Sequence, residues 1–268
     1  MPHSGGGFDN LTPPADRISR WLLLWIFFRC LFIQSTWNPE RMVHHGFLFA
    51  LLPGFRKIAP SPELFQALIA RHIHFFNTHP IMASFICGGV LRLEEQRLLN
   101  GEGSEKTVDK FKTRLSHLLG SVGDQFFWQS LRPVAAVTGV VLIFLGAPVV
   151  IIVGVPLVIY NIPHLYFRWF GLHAGYHNGL AVLHDIRVER FESWMRILTG
   201  AGLCLVGILI VLGLRNFTAQ GKEAVIAFVG AGLAALLLQR LRVQPVFAIL
   251  IPIATAVATG YWLVPDIM

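Results

Sequence analysis

Asn77-Thr78-His79 stands with Pro80 between two apolar stretches, in the run HIHFFNTHPIMASFICGG from His72 to Gly89. An amide, a hydroxyl and an imidazole side by side offer both hydrogen-bond donors and acceptors, the set that recognises a hydroxylated ligand. Pro80 has no N–H and disfavours helix at the residue before it, so the triplet also reads as a turn between two buried helices. A second candidate is Glu94, in Leu93-Glu94-Glu95-Gln96. Helical spacing puts Glu94 on the face of Val90, Leu91 and Leu98, where a carboxylate needs a partner. Two readings stand for it, a polar site or subunit contact and a structural ion pair. Glu95 lies nearer Arg92 and reads as an ordinary salt bridge.

The third candidate is Gly120-Ser121-Val122-Gly123-Asp124 through Trp128, followed by Arg132-Pro133 and a long apolar run. The glycines permit an irregular backbone, and Asp124, Trp128 and Arg132 are predicted to fix a turn through which the chain enters a membrane, with Trp and Arg as interfacial anchors. Eleven histidines invite a metal reading. His173 and His177 are four apart with His184 beyond, but only Asp185 accompanies them, so no metal site and no cofactor are expected. Gly221-Lys222 lacks the spacing of a phosphate-binding loop, and no GxSxG motif is present.

The elements that must position these residues belong to a membrane protein. Of 268 residues 54% are hydrophobic and 14% charged, outside the globular range. The net charge of +7 is scattered among apolar segments, which excludes a nucleic-acid face and suits positive-inside topology and anionic lipid. Cys30, Cys87 and Cys204 stand singly in apolar segments. Arg29 interrupts the apolar run Trp21–Phe28 and no small-residue cleavage site follows, so this run is expected to stay in the mature chain.

Residues 1–13 read as a disordered tail, 14–132 as an amphipathic and re-entrant helical region, and 133–268 as a transmembrane helical region. Ser61-Pro62-Glu63 is a helix start, with an N-cap, a proline at the first position and an acid in the first turn. That helix is expected to run to about Phe76 with Phe65, Leu68, Ile69 and His72 on its apolar stripe. A second begins near Pro80, and Asn100–Lys112 reads as a polar loop. Val134–Tyr160 is either one kinked span or two short helices, broken at Gly146-Ala147-Pro148 and Pro156. Trp194–Leu214 is the clearest span, followed by Ala224–Leu238 and Val246–Val264, joined by the dibasic Gln239-Arg240-Leu241-Arg242.

Trp37-Asn38-Pro39-Glu40-Arg41-Met42, Gly46-Phe47, Leu52-Pro53, Arg71-His72, Phe75 to Pro80, Leu93 to Gln96, Gly123-Asp124, Phe127-Trp128 and Leu131-Arg132-Pro133 occur in this order. With Tyr160-Asn161, Phe167 to Gly171, Gly175-Tyr176 and Gly179, they resemble the IID membrane subunit of mannose/fructose/sorbose-family phosphotransferase systems. The resemblance is strongest over residues 30–180. It implies an all-α, polytopic integral membrane protein with re-entrant N-terminal helices and a C-terminal transmembrane bundle, in the bacterial inner membrane. It further implies a IIC partner, interlocked as a trimer of heterodimers, and phosphocarrier IIA and IIB subunits. The chain itself would be a translocation subunit without catalytic histidines.

On that resemblance a hexose-type sugar is the expected substrate. Asn77, Thr78 and His79 are then expected near the sugar or the IIC contact, Glu94 as a buried acid, and Asp124, Trp128 and Arg132 at the membrane-entry turn. The alternative is a transport-inactive regulatory or sensory scaffold. It is suggested by Thr113–Ser121, where the family carries a glycine-rich approach, and by the short connection between Leu214 and Ala224. A metal-dependent membrane enzyme built on His173, His177 and His184 is a third class.

Overall fold

The computed structural model describes residues 18–182, 186 and 188–219. The expected tail, the spans beyond Ala224 with their dibasic link, and His184 with Asp185 lie outside the described residues. The described chain folds into α1 (Arg20–Cys30), α2 (His44–Ile58), α3 (Pro62–His72), α4 (Ala83–Asn100), α5 (Glu105–Gly123), a π-helical segment (Asp124–Leu131), α6 (Arg132–Phe144), α7 (Val149–Asn178), a short turn (Gly179–Ala181) and α8 (Val188–Ala219). Among the described residues there is no strand, only two isolated bridges, Asn38–Met42 and Met42–Phe76. The protein is all-α. It divides into two compact units, Met1–Ala136 with Val153–Gly202, and Val137–Ile152 with Leu203–Met268.

In the first unit α4 is the hub, packed on α1, α2 and α5. Its first half, Ala83–Leu91, is apolar on every side and buried on every side. Gly88 of α4 and Gly175 of α7 let these two helices touch backbone to backbone. A Cβ on Gly175 would overlap the Phe85 carbonyl, and one on Gly88 the Leu172 carbonyl, the close approach that small residues give helices in membranes. α3 begins as expected, the Ser61 hydroxyl accepting from Leu64 N–H at 3.3 Å. It stops at His72, not near Phe76, because Phe76 pairs with the chain before α2. Val43 N–H donates to the Phe76 carbonyl at 3.1 Å, and the Phe76 ring stacks on Phe47 with centroids 3.8 Å apart.

Two expectations are corrected between α4 and α6. The polar loop is confined to a few residues, since Gly101 caps α4 in the left-handed region (φ 68°) and Ser104 caps α5 by accepting from Thr107 N–H at 3.3 Å. Glu105–Lys112 is helical because Val108, Phe111, Leu115, Leu119 and Val122 form a buried stripe along α5, and that amphipathic face outweighs the density of charge. Nor is there a membrane-entry turn at Asp124–Arg132. The chain passes through the π segment without leaving the helix, so Glu105–Phe144 is one stretch of 40 residues.

In the second unit the break at Gly146-Ala147-Pro148 is a Schellman turn. Gly146, at φ 69°, donates to the Ile143 carbonyl at 2.9 Å, and Ala147 donates to Leu142 at 3.0 Å. The long apolar run is therefore two helices. Pro156, the other expected break point, lies inside α7 with Pro163.

Among the described residues three helical stretches are long and apolar enough to cross a membrane, Glu105–Phe144, Val149–Ala181 and Glu189–Gly213. In the last two, no residue of the most apolar window is buried, and Val150, Ile197 and Leu203 are open. Such surfaces belong against lipid or another membrane chain. The last stretch is the span expected at Trp194–Leu214.

The α4–α7 crossing predicts that Gly175→Val, which forces two backbones apart, lowers stability by about 1–3 kcal/mol or more. Gly154→Ala, where a Cβ meets nothing within 4 Å, is expected to leave it unchanged. Thermal unfolding of the purified protein in detergent checks both.

Candidate functional site

The sequence from the end of α3 through α4 carries two polar clusters. The first surrounds Glu94, whose side chain is 0% exposed. Its Oε1 accepts from Arg71 Nη2 and from His72 Nε2 at 2.9 Å, and its Oε2 from Arg97 Nε at 2.9 Å. Arg71 and Arg97 also reach Glu105, at 3.1 and 3.5 Å. Thus a carboxylate on α4 is held by both last residues of α3, by its own helix, and through the guanidiniums by the first residue of α5. Burial alone would raise its pKa, but His72 and the two guanidiniums outweigh it and hold the carboxyl below the usual range. Burial pushes the His72 imidazole below its ordinary value, against the opposing effect of Glu94. His72 is therefore neutral, and Nε2 bears the proton because an ionised carboxylate only accepts. Of the two sequence readings, the geometry is that of the structural ion pair, with more partners than the sequence indicated.

The second cluster lies at the break. Thr78 and His79 are buried while Asn77 is exposed. The His79 ring stacks on Phe127 (centroids 5.1 Å, 10° between planes) and meets Trp128 edge-on at 4.9 Å. Gly123 admits it, since a Cβ there would strike the His79 side chain. The glycine serves clearance, not the irregular backbone expected from it. Among the described residues, neither nitrogen of His79 nor the Thr78 hydroxyl has a hydrogen-bond partner. Burial, with the charge of Arg168 and then His164, brings the His79 imidazole down to about 3, so it is uncharged at neutral pH. A buried hydroxyl and neutral imidazole left unmatched cost about 1–3 kcal/mol each. Grouped beside an open carboxamide, they suit a ligand rich in hydroxyl groups.

The loop before α2 supports this turn. Asn38 and Met42 exchange backbone hydrogen bonds at 3.2 and 2.9 Å, and Met42, at φ 60°, continues into the bridge with Phe76. Trp37–Met42 and Arg71–Pro80, distant in sequence, are thereby one structure.

Of the predicted site residues, the structure brings Thr78, His79 and Trp128 together, with Asn77 on the same turn. Glu94 sits in its own cluster. Asp124 and Arg132 lie on one continuous helical stretch, and among the described residues they form no ion pair. Glu95 meets Arg92 at 3.3 Å, as expected, but also accepts from the Tyr176 hydroxyl at 2.7 Å. Sequence reasoning missed Arg168. It is buried in α7, donates to His164 Nε2 at 2.9 Å and reaches the Cys30 carbonyl from Nη1. Its signal was an arginine inside an apolar span, which marks function or a polar contact by its cost. Among the described residues no group of three metal-ligating side chains occurs.

Comparison with known proteins gives a consistent set of relatives. Residues 17–264 match the family model described as the PTS system mannose/fructose/sorbose family IID component. The chain is 32% identical over 188 residues to the mannose-specific EIID component of Escherichia coli K12, covering 69% of this chain and 65% of that protein. It is 28% identical over 256 residues to the sorbose-specific EIID component of Lacticaseibacillus casei, covering 87% and 89%. Among solved structures it is similar to a chain of the mannose transporter ManYZ in complex with microcin E492, with TM-score 0.57, 30% identity and coverage of 72% and 70%.

The Glu94 cluster makes two measurements predictable. Glu94→Ala leaves Arg71, His72 and Arg97 converging on nothing, a loss of about 3–5 kcal/mol in thermal unfolding. The pH dependence follows from the directions of the two shifts. Both folded values are depressed, so the contribution of His72 is complete above its unfolded value, about 6.5, and that of Glu94 above about 4.5. Both are lost as pH falls: Glu94 favours the His72 imidazolium, but burial, with Lys112 and Arg71, outweighs it and keeps the net shift downward. Stability is expected to decline as pH drops below about 6.5, and His72→Gln to remove the upper part of that decline.

Proposed function

This chain belongs to the mannose/fructose/sorbose family of PTS IID components, and we propose that with a IIC membrane subunit it binds and translocates a hexose-type sugar across the inner membrane. Phosphorylation then belongs to the IIA and IIB subunits at the expense of phosphoenolpyruvate. This chain supplies no phosphorylated histidine. It contributes helices, a polar turn and a surface for IIC, in a trimer of heterodimers.

The observation that carries the proposal is the turn at Asn77-Thr78-His79. A sugar presents hydroxyls that both give and take hydrogen bonds, and the turn offers an exposed carboxamide, an unmatched buried hydroxyl and an unmatched neutral imidazole. Broken helices at membrane depth present such groups in other transporters. Phe127 and Trp128 flank the imidazole with the aromatic faces on which sugar C–H groups pack. The buried Glu94 cluster holds α3, which leads into the turn, against α4, which leaves it. Asp124 and Arg132, on the helical stretch that carries these aromatics, are the candidates for a contact with IIC.

Phosphoenolpyruvate-dependent uptake, in cells expressing the chain with IIA, IIB and IIC, tests the reading. Asn77→Ala and Thr78→Val are expected to lower uptake at least tenfold, the scale of one or two lost hydrogen bonds, while the IIC subunit still copurifies. Undiminished uptake in both variants would sink the assignment. No uptake by the wild-type chain in an assembled complex would select the regulatory scaffold.

A further inference from the structure

α2 contains a proline, and its consequence leads to a site that the transport reading does not use. Pro53 has no N–H, so the carbonyl four residues earlier, that of Phe49, has no donor within the helix. Arg29 of α1 supplies one, donating from Nε at 2.7 Å, and its guanidinium lies 3.6 Å over the Phe49 ring. Arg29 is thus fixed in place, and its two terminal nitrogens meet no acceptor among the described residues. One turn beyond Pro53, Arg56 and Lys57 are both exposed, and among the described residues neither has a carboxylate partner. Arg56 has only the Phe65 ring, at 5.7 Å.

These three cations rim one open groove of about 580 Å³ between α1 and α2, walled by Leu22, Trp25 and Leu52, and among the described residues no acidic side chain lines it. The groove continues onto an aromatic stripe. α1 buries Leu23, Ile26 and Cys30 and exposes Trp21, Trp25, Phe28 and then Phe32, at helical spacing along its other side. Tryptophans in such a position mark the depth at which lipid headgroups meet acyl chains. Three cations in one groove with Trp25, whose helix face continues through exposed Trp21 and Phe28, match one kind of molecule, a phosphate joined to hydrocarbon.

We infer that the α1–α2 groove is a binding site for an anionic phospholipid, its phosphate held by Arg29, Arg56 and Lys57 and its acyl chain laid along Trp25 and Trp21. The site is independent of the sugar-binding turn. A soluble phosphate gains the cations but not the slot, and an acidic face of the IIC subunit is the competing occupant.

Native mass spectrometry of the chain assembled with IIC tests it, with phosphatidylglycerol and phosphatidylcholine of identical acyl chains added together. The wild-type complex is expected to retain phosphatidylglycerol at least tenfold more tightly. Arg56→Gln/Lys57→Gln, which leaves the Arg29–Phe49 bond intact, is expected to weaken phosphatidylglycerol binding roughly 10- to 30-fold, at about one cation's attraction each, with phosphatidylcholine unchanged. Lys106→Gln/Lys110→Gln, two exposed cations of α5, is expected to change neither. Three results would each overturn the inference: no preference in the assembled complex, which assigns the groove to IIC; equal loss in the α5 variant, which leaves only diffuse charge; or displacement of the lipid by millimolar inorganic phosphate.

Discussion

A carboxylate with no access to water must be surrounded by donors or be neutral, and Glu94 takes the first course. Three donors converge on it from α3 and α4, two of them continuing to α5. The desolvation of one charge thereby ties together three helices. Unpaired, such a group costs several kcal/mol; paired, it leaves little freedom in how α3 and α4 meet. Because those helices enter and leave the Asn77–Pro80 turn, the position of the turn is set by electrostatics that do not themselves touch a substrate.

The turn inherits a second constraint from packing. α5 passes close enough to His79 that only glycine fits at position 123, and the chain then widens into a π segment that brings Phe127 and Trp128 against the imidazole. A π segment is rare, and it occurs frequently at functional sites. Here it aims two aromatic rings at a histidine whose nitrogens are otherwise unmatched. Rigidity around the turn and unmatched polarity within it are what a recognition site requires.

Much of this was legible residue by residue where the signal is local. Ser61-Pro62-Glu63 announces a helix start by capping chemistry and Trp194–Leu214 a span by length alone, whereas Gly146-Ala147-Pro148 fits a kink as well as a helix end. Glu94 was visible as a charge on an apolar face, which says that a partner exists but not which one. The partners were hidden because Arg71 and His72 come from another helix, and His72 reads locally as a member of an apolar stripe. The continuous helix through Gly120–Arg132 was misread as a turn, since glycine signals either backbone freedom or close approach and only the neighbour decides. Pro53 with Arg29 and Arg168 with Cys30 follow the same logic: each arginine looks like an interruption until the carbonyl it satisfies is known.

The Glu94 cluster holds the Asn77–Pro80 turn in place. Hydrogen–deuterium exchange over residues 73–83, comparing the wild-type chain with Glu94→Gln in the complex with IIC, measures this directly. Faster exchange in those residues, with α8 unchanged, is expected. Equal exchange in the two proteins would contradict it, and would leave the turn positioned by the Gly123 packing alone.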